Sequence, residues 1–369
     1  MKFTCEKYTL QNACATAARA AASKSPIQAL EGLRIEANND VTITGYDLKE
    51  GIYTTLGADI AEEGSIVVNS RLFGDIIRKL PDGKVLISTD GLNVNVKCGK
   101  SDFNIMGISA EDYPELPVVD HEDDIVLTQR ILRSMIGQTL FAVSDNDARP
   151  IYTGTLFEAE EKELTLVSID GYRLARRSEE LDAARETPCR FVVPGSALGD
   201  IERICEDNDE PVHISVGAKH ISFAIGETVV ISRRLEGEFL NYKKSIPDTF
   251  RHVLKLERSE FMAVIDRVSL IISEKNSNPV HLFLNDGRIV CSCVTPIGKA
   301  EDICLCEGSG EDLEIGFNDR YLMDALKAAG TEELLFCLNT ASSPCILKAA
   351  DGSDRFTYMI LPVRLRANG

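Results

Sequence analysis

The segment SIVVNSRLFGDIIRKL (residues 65–80) determines the fold class, because related segments occur twice more in the chain. They are RFVVPGSALGDIERICE (residues 190–206) and DLEIGFNDRYLMDALKA (residues 312–328). Each combines a short apolar strand, a capping or turn residue, and a helix whose apolar residues recur with a period of about 3.6. Successive strand centres are 125 and 123 residues apart, at Val67, Val192 and Ile315. The sequence therefore predicts a unit that is repeated three times.

Two further sets of segments have the same period. Residues 2–22, 124–143 and 252–272 also read as a strand followed by an amphipathic helix. Three predicted strand pairs carry equivalent residues 124 positions apart, at Thr44, Ser168 and Ser292. Each third therefore contains two strand–helix segments, which predicts six helices per chain. Several strands separate successive helices, so the pattern favours an α+β fold with largely antiparallel sheets over a doubly wound fold.

Proline-containing segments end the first two copies of the repeat. These segments are YPELP (residues 113–117) and YKKSIP (residues 242–247), and proline is common where a regular element stops. We therefore predict three domains, at residues 1–120, 121–248 and 249–369.

The composition excludes several classes of protein. The 369 residues are 44% hydrophobic and 27% charged, which is enough apolar material for several cores. No apolar stretch is long enough to span a bilayer, and the start MKFTCEKYTL has no apolar core of a signal peptide, so we expect a cytoplasmic protein. The 11 cysteines form no C-x-x-C pair, and we expect reduced thiols that act mainly as small core residues.

The distribution of charge matters more than its sum. The formal net charge of −18 at first argues against a nucleic-acid partner. The six predicted helices nevertheless carry 12 basic and 9 acidic residues, over residues 9–24, 69–80, 128–143, 194–206, 257–272 and 318–330. Each has a basic residue on its polar face, namely Arg19, Arg71, Arg78, Arg130, Arg133, Arg203, Arg267, Arg320 and Lys327. A basic residue on the exposed face of one helix is ordinary, since it simply contacts solvent. A surface formed by all six helices could hold phosphates without contacts to base edges.

Motifs for catalysis are missing from the sequence. The segment CGKS (residues 98–101) lacks the first glycine of a P-loop, because Val94 stands there. The pair His121-Glu122 does not continue into H-E-x-x-H. Asp170 and Arg173 could act as a catalytic pair, but a hairpin turn explains them better. We predict a protein that is not an enzyme and that needs no cofactor and no metal.

Four motifs resemble those of the bacterial sliding clamp family, the beta subunit of DNA polymerase III. They are MKFT (residues 1–4), DGYRLA (residues 170–175), GFNDRYL (residues 316–322) and YMILPVRL (residues 358–365), and the resemblance extends over about residues 1–365. It implies three clamp domains with helices on the inner face and antiparallel sheets outside. Two chains would close head to tail into a ring that encircles duplex DNA and confers processivity. A closed ring retains the DNA without tight contacts, so the net negative charge of the chain does not argue against a DNA partner.

The resemblance also implies which residues contact DNA and the second chain. It pairs Phe103 and Ile105 of one chain with Leu270 and Ile271 of the other. It places three residues near DNA, which are Lys24, Arg71 and Asn146. The helix faces add Arg19, Arg78, Arg133, Arg203 and Lys327.

Finally, the resemblance implies one groove per chain, between domains 2 and 3, for peptides of the type Gln-Leu-x-Leu-Phe. These would come from the polymerase III alpha subunit, the clamp loader, other polymerases and repair proteins. The matching positions are Tyr152, Thr153, Ile169, Gly171, Tyr172, Arg173, Leu174, Leu240, Lys244, Ser245, Asn318, Tyr321, Ala341, Ser343, Met359, Ile360, Leu361, Pro362, Val363 and Arg364. Four of them are expected to form an apolar pocket, which are Leu174, Ile360, Leu361 and Val363. Arg173, Asn318 and backbone groups near Leu361 would bond the glutamine and the peptide backbone.

Two alternatives remain at this point. One is a monomeric repeat scaffold that binds peptides without DNA, which ring closure would distinguish from a clamp. The other is an enzyme that uses Asp170 and Arg173.

Overall fold

A computed structural model describes residues 1–119, 124–185, 187–272, 278–285, 287–309, 312–353 and 355–364. The chain divides into two compact units. The first comprises Met1–Arg133 and Ser196–Arg234, and the second comprises Ser134–Gly195 and Leu235–Gly369.

The helices and strands follow the predicted threefold order. The first third contains β1 (Lys2–Glu6), α1 (Lys7–Ala17), β2 (Gly32–Ala37), β3 (Val41–Tyr46), β4 (Glu50–Leu56), β5 (Asp59–Glu62), β6 (Gly64–Asn69), α2 (Ser70–Lys79), β7 (Lys84–Asp90), β8 (Asn93–Cys98) and β9 (Ser101–Met106). The second contains β10 (Ile125–Thr128), α3 (Gln129–Gly137), β11 (Gly154–Glu160), β12 (Glu163–Ile169), β13 (Arg173–Glu180), β14 (Cys189–Pro194), α4 (Gly195–Ile204), β15 (Pro211–Val216), β16 (His220–Ile225) and β17 (Thr228–Arg233). The third contains β18 (His252–Glu257), α5 (Arg258–Ser269), β19 (Val280–Asn285), β20 (Arg288–Thr295), β21 (Gly298–Leu305), β22 (Glu307–Ser309), β23 (Leu313–Phe317), α6 (Asp319–Ala328), β24 (Glu333–Leu338), β25 (Cys345–Ala349) and β26 (Phe356–Ile360).

All six predicted strand–helix segments are confirmed, and three of the helices begin at a side-chain cap. At the start of α2, the side-chain amide oxygen of Asn69 accepts a hydrogen bond from the Leu72 N–H at 2.9 Å. At α6 the side-chain oxygen of Asn318 accepts from the Tyr321 N–H. At α3 the Thr128 hydroxyl accepts from the Ile131 N–H. Such caps satisfy backbone donors that have no partner within the helix.

Two helices end well before the predicted residue, whereas the other four differ from their predicted ends by three residues or fewer. α1 ends at Ala17 instead of residue 24, so Arg19 lies on a 3-10 turn and Lys24 lies beyond it. β3 packs directly against this end of α1: a Cβ at Gly45 would lie 2.0 Å from the Ala17 carbonyl oxygen, so only glycine permits this close approach.

α3 ends at Gly137 instead of residue 143. The Thr139 hydroxyl donates to the carbonyl oxygens of Met135 and Ile136, at 2.9 and 3.3 Å. Such a side-chain bond competes with continuation of the helix.

Every strand pairing that the structure describes is antiparallel, which confirms the predicted sheet type. The first unit contains a five-stranded sheet, β5-β1-β7-β8-β9, and an eight-stranded sheet, β10-β15-β16-β17-β4-β3-β2-β6. The second unit contains a nine-stranded sheet, β14-β11-β12-β13-β26-β25-β24-β18-β22, and a four-stranded sheet, β21-β20-β19-β23.

The two large sheets join thirds of the chain that the sequence assigned to different domains. β17 pairs with β4 through Thr228 and Thr54, and β13 pairs with β26 through Leu174 and Met359. The second pairing brings the C-terminal strand beside the DGYRLA motif. The predicted boundary after residue 120 lies outside the described residues, and the three-domain division remains a prediction.

Alternating and helical apolar patterns fill the cores as the sequence predicts. Phe3, Phe73 and Ile87 are buried in the first unit, and Phe261 and Phe336 in the second. All 11 cysteines are free thiols, and nine of them are buried. Burial raises the thiol pKa of Cys5, Cys205 and Cys304 to about 12, so these residues serve as small apolar side chains. None of the helices in the described chain combines the length and the apolar character that a membrane span needs.

Candidate functional site

The DGYR motif forms a tight turn between β12 and β13. One Asp170 carboxylate oxygen accepts hydrogen bonds from the backbone N–H groups of Tyr172 and Arg173, at 2.8 and 3.0 Å. Gly171 has a φ of +95°, a conformation that residues with a Cβ rarely adopt. The interpretation of this motif as a turn is therefore confirmed, and Asp170 is engaged in holding it.

The Arg173 side chain connects this turn to α6. Its Nε donates to Asp170 at 2.9 Å and its Nη1 donates to Asp324 at 2.6 Å. The guanidinium carbon lies 5.4 Å from the ring centroid of Phe141 and 4.4 Å from that of Tyr321, within the range of cation–π attraction. Burial, aided by the Asp170 carboxylate, raises the pKa of the Tyr321 phenol above its usual value.

The C-terminal segment lies against the same turn. After β26 ends at Ile360, the Leu361 N–H donates to the Tyr172 carbonyl oxygen at 2.8 Å. The Val363 N–H donates to the Gly316 carbonyl oxygen at 2.8 Å. Pro362 lies between them, beyond the strand end, as its missing N–H predicts. Leu361 and Val363 remain partly exposed and form an apolar rim.

An apolar floor lies below this rim. Leu174 and Met359 pair across β13 and β26 and belong to one buried cluster with Ile169 and Tyr242. Ile360 faces the other side of the sheet, where it packs into a different core, because successive strand residues point to opposite faces. The predicted pocket of Leu174, Ile360, Leu361 and Val363 is therefore corrected: Met359, and not Ile360, accompanies Leu174.

The segment that carries Leu240, Lys244 and Ser245 is held by its buried tyrosine. The Tyr242 hydroxyl donates to the Glu158 carboxylate of β11 at 2.7 Å. Burial alone would raise the pKa of Glu158, but the Tyr242 hydroxyl and the Lys243 ammonium donate to it and lower that pKa below its usual value. Leu240 is exposed on this segment, whereas Ser245 is half-buried.

Five of the predicted groove residues line one open cleft of about 800 Å³, together with residues 143–149. The five are Tyr152, Gly171, Tyr172, Arg173 and Tyr321. The Tyr152 ring packs edge-on against Phe239, with centroids 5.6 Å apart. The Tyr172 and Tyr321 rings stack at 6.2 Å.

The remaining predicted residues lie outside this cleft. Asn318 uses its side-chain oxygen to cap α6, and Thr153 donates to the Pro150 carbonyl oxygen at 2.8 Å. Ala341 is exposed and Ser343 half-buried in the turn before β25, and Arg364 is exposed. Sequence reasoning missed Asp324, although its position three residues after Tyr321 places both on one helix face.

The basic residues predicted to face DNA fall into two groups. Some are paired: Arg19 and Arg203 both contact Asp200, and Arg78 contacts Asp75 at 2.7 Å. Others are exposed and form no ion pair with any described residue, namely Lys24, Arg71, Arg133 and Lys327. Asn146 is exposed in the loop that follows the 3-10 turn at Leu140–Ala142.

The residues predicted to join two chains lie at open sheet edges or beside them. In the first unit β9 pairs only with β8 among the described strands, and its Phe103 is 40% exposed. Ile105 packs against the core behind it. In the second unit β21 likewise pairs only with β20 within the described chain. Leu270, just past the end of α5, is 78% exposed, and Ile271 is half-buried.

Within the described residues, no group of three or more His, Cys, Asp or Glu side chains is arranged to hold a metal ion. The second unit instead provides an apolar floor, a polar turn and the exposed aromatic side chain of Tyr172. These features suit the binding of an extended peptide.

Comparison with known proteins identifies the family. Models of the DNA polymerase III beta subunit match in succession, with the N-terminal domain at residues 1–117, the central domain at 126–241 and the C-terminal domain at 243–364. The beta sliding clamp of Staphylococcus aureus is 34% identical over 358 residues, which cover 94% of each chain. That of Staphylococcus epidermidis is 33% identical over 376 residues, which cover 99% of each.

Solved structures agree with this assignment. The DNA polymerase sliding clamp from Bacillus subtilis superposes with a TM-score of 0.96 at 31% identity, covering 99% of this chain and 100% of that one. A putative DNA polymerase III beta subunit from Eubacterium rectale superposes with a TM-score of 0.94 at 33% identity, covering 98% and 99%. The chain therefore belongs to the family of beta sliding clamps, the accessory beta subunit of DNA polymerase III, which has no catalytic activity of its own.

Proposed function

We propose that two copies of this chain close head to tail into a ring around duplex DNA. Membership of the sliding clamp family carries this proposal. The open edges at β9 and β21 support it, because they carry different exposed apolar residues. An interface between two unlike surfaces closes into a ring when the rotation between subunits permits.

The dimensions of such a ring suit a duplex. Two chains would contribute twelve helices, since each described chain has six. At roughly 9 Å per packed helix, the lining is at least ~110 Å around, which leaves an opening of roughly 24 Å or more. The exposed side chains of Arg71, Arg133 and Lys327 would then meet phosphates without reading bases.

The groove in the second unit would tether partner proteins to this ring. We assign to it short motifs of the type Gln-Leu-x-Leu-Phe from the polymerase alpha subunit, the clamp loader, other polymerases and repair proteins. The buried floor at Leu174 and Met359 and the exposed Leu361 and Val363 support this assignment, because apolar anchors need such a pocket. Replication takes place in the bacterial cytoplasm, where we place the protein.

Negative-stain electron microscopy of the purified chain tests the ring. We expect rings of two chains with an open centre. Compact single-chain particles that persist at high protein concentration would instead support the monomeric peptide scaffold.

Fluorescence anisotropy with a labelled Gln-Leu-x-Leu-Phe peptide tests the groove. A chain that ends at Ile360 keeps β26 intact but removes the rim at Leu361–Arg364. We expect this variant to lose peptide binding and to remain dimeric, with a scrambled peptide as the control. Undiminished binding by the truncated chain would remove the groove proposal.

A further inference from the structure

We propose that Asp324 is a positioning residue of the peptide groove: it holds the Arg173 guanidinium against two aromatic rings and so fixes the Gly171–Tyr172 turn. This inference rests on the proposed peptide-binding function. It changes the role expected for Arg173, which becomes a brace of the groove instead of a donor to the peptide.

The contacts of Arg173 leave little of it for a ligand. Its side chain is only 11% exposed. Nε is bonded to Asp170 and Nη1 to Asp324, while Phe141 and Tyr321 lie against the guanidinium. A guanidinium held by two carboxylates and two rings has a fixed position.

Asp324 supplies the contact that comes from outside the turn. Asp170 lies three residues from Arg173 and belongs to the turn itself, whereas Asp324 lies 151 residues away on α6. The 2.6 Å bond to Asp324 therefore ties the start of β13 to α6. Among the described residues, Arg173 is the one ion-pair partner of Asp324.

This tie reaches the exposed rim through Tyr172. The Tyr172 ring, which is 62% exposed, stacks on Tyr321, the ring that also lies against Arg173. The Tyr172 carbonyl oxygen accepts the Leu361 N–H. If Arg173 loses Asp324, it can leave the Tyr321 ring, and the turn and the Leu361 segment become less ordered. Peptide binding must then also order the rim, which lowers affinity.

The test is the affinity for the labelled Gln-Leu-x-Leu-Phe peptide. We expect Asp324→Asn to weaken binding about tenfold, as removal of one charge-assisted hydrogen bond would. Asp319→Asn is the matched control, because it makes the same charge change on the same helix away from Arg173, and we expect an affinity within about twofold of the original. Asp324→Glu keeps the carboxylate and should recover part of the lost affinity.

A double-mutant cycle separates positioning from a general loss of stability. In an Arg173→Met background, Asp324→Asn should cause little further loss, because the partner through which Asp324 acts is gone. Asp324→Asn that binds like the original, or that costs the same tenfold without Arg173, would overturn the inference. If the unaltered chain binds no peptide, the proposed groove itself is wrong. This outcome is distinct from the two results for Asp324→Asn that would overturn the inference.

Discussion

The Arg19 Nη1 lies 3.2 Å from the Asp200 carboxylate, and the same carboxylate oxygen accepts a second bond of 3.2 Å from Arg203. Arg19 follows α1 and Arg203 lies on α4, and both are residues that we propose to face DNA. One acidic side chain therefore pairs with two basic ones and offsets one of their two charges. This pairing lowers the positive charge that the two arginines can offer to phosphates.

Asp200→Asn should release both arginines. We expect duplex binding to tighten about two- to fivefold at low salt. We also expect log Kd to depend more steeply on log salt, by roughly 0.9 for each new phosphate contact. Anisotropy with a labelled duplex, titrated over salt, measures both effects. Asp40→Asn, in the exposed turn after β2, is the control, and equal changes in the two variants would contradict this role of Asp200.

Glu50 in β4 should make the stability of the protein depend on pH. The residue is 8% exposed, one of its carboxylate oxygens has no described partner, and burial raises its pKa to about 8, with help from Asp200 and Asp47. A carboxyl whose pKa is raised on folding keeps its proton while the unfolded chain loses it. The contribution of Glu50 to the free energy of unfolding is therefore fully present below about pH 4.5 and is lost as the pH rises to about 8.

Glu50→Gln removes this titration. Between about pH 5 and pH 8, the original chain should lose up to about 1.4 kcal/mol of unfolding free energy per pH unit relative to the variant. Urea unfolding at several pH values measures the difference. Parallel pH profiles for the two proteins would show that Glu50 does not titrate in this range.

Charge placed at either open edge should separate the two chains. We expect Phe103→Glu or Leu270→Glu to convert the dimer to folded monomers, because each would place a carboxylate in an apolar interface. Light scattering after size exclusion measures the mass. Val118→Glu is the control, since Val118 is exposed and belongs to neither of the two predicted contact segments, and it should remain dimeric. Dimers of unchanged stability in both edge variants would contradict the proposed contact.

Leu48 carries backbone strain that glycine would remove. It has a φ of +74° in the turn between β3 and β4, a conformation that costs a residue with a Cβ about 1–2 kcal/mol. Glycine loses more conformational entropy on folding than leucine, and this cost reduces the gain. Leu48→Gly should therefore stabilise the protein by about 0.5–1 kcal/mol. Leu92→Gly, at another exposed turn leucine without positive φ, should destabilise it. Urea unfolding of both variants decides between these outcomes.

Local patterns explain why much of the fold was predictable. The strand–helix units appear in the sequence because a period of two and a period of 3.6 bury apolar residues in strands and helices, respectively. Asn69 and Asn318 mark helix starts because their side chains satisfy backbone donors within three residues. Thr139 shows the limit of this reasoning, because its bond to Met135 ends α3 where the apolar pattern continues.

The candidate site was predictable only in part. The DGYR turn is local, so its residues were found from the motif that they form. Asp324 was not found, because its bond to Arg173 joins positions 151 residues apart. Ile360 was grouped with Leu174 in one pocket, whereas Met359 pairs with Leu174, because this register is set by the sheet and not by the segment.

The sequence by itself determined the threefold repeat, the six strand–helix units, the antiparallel α+β class and the sliding clamp family, because each of these is recognised from patterns within short segments that can be compared along the chain. Only the tertiary structure decided that β17 joins β4, that β13 joins β26, and that Asp324 braces Arg173. These relationships depend on packing between distant segments, and packing selects a partner by shape and register that no local pattern encodes.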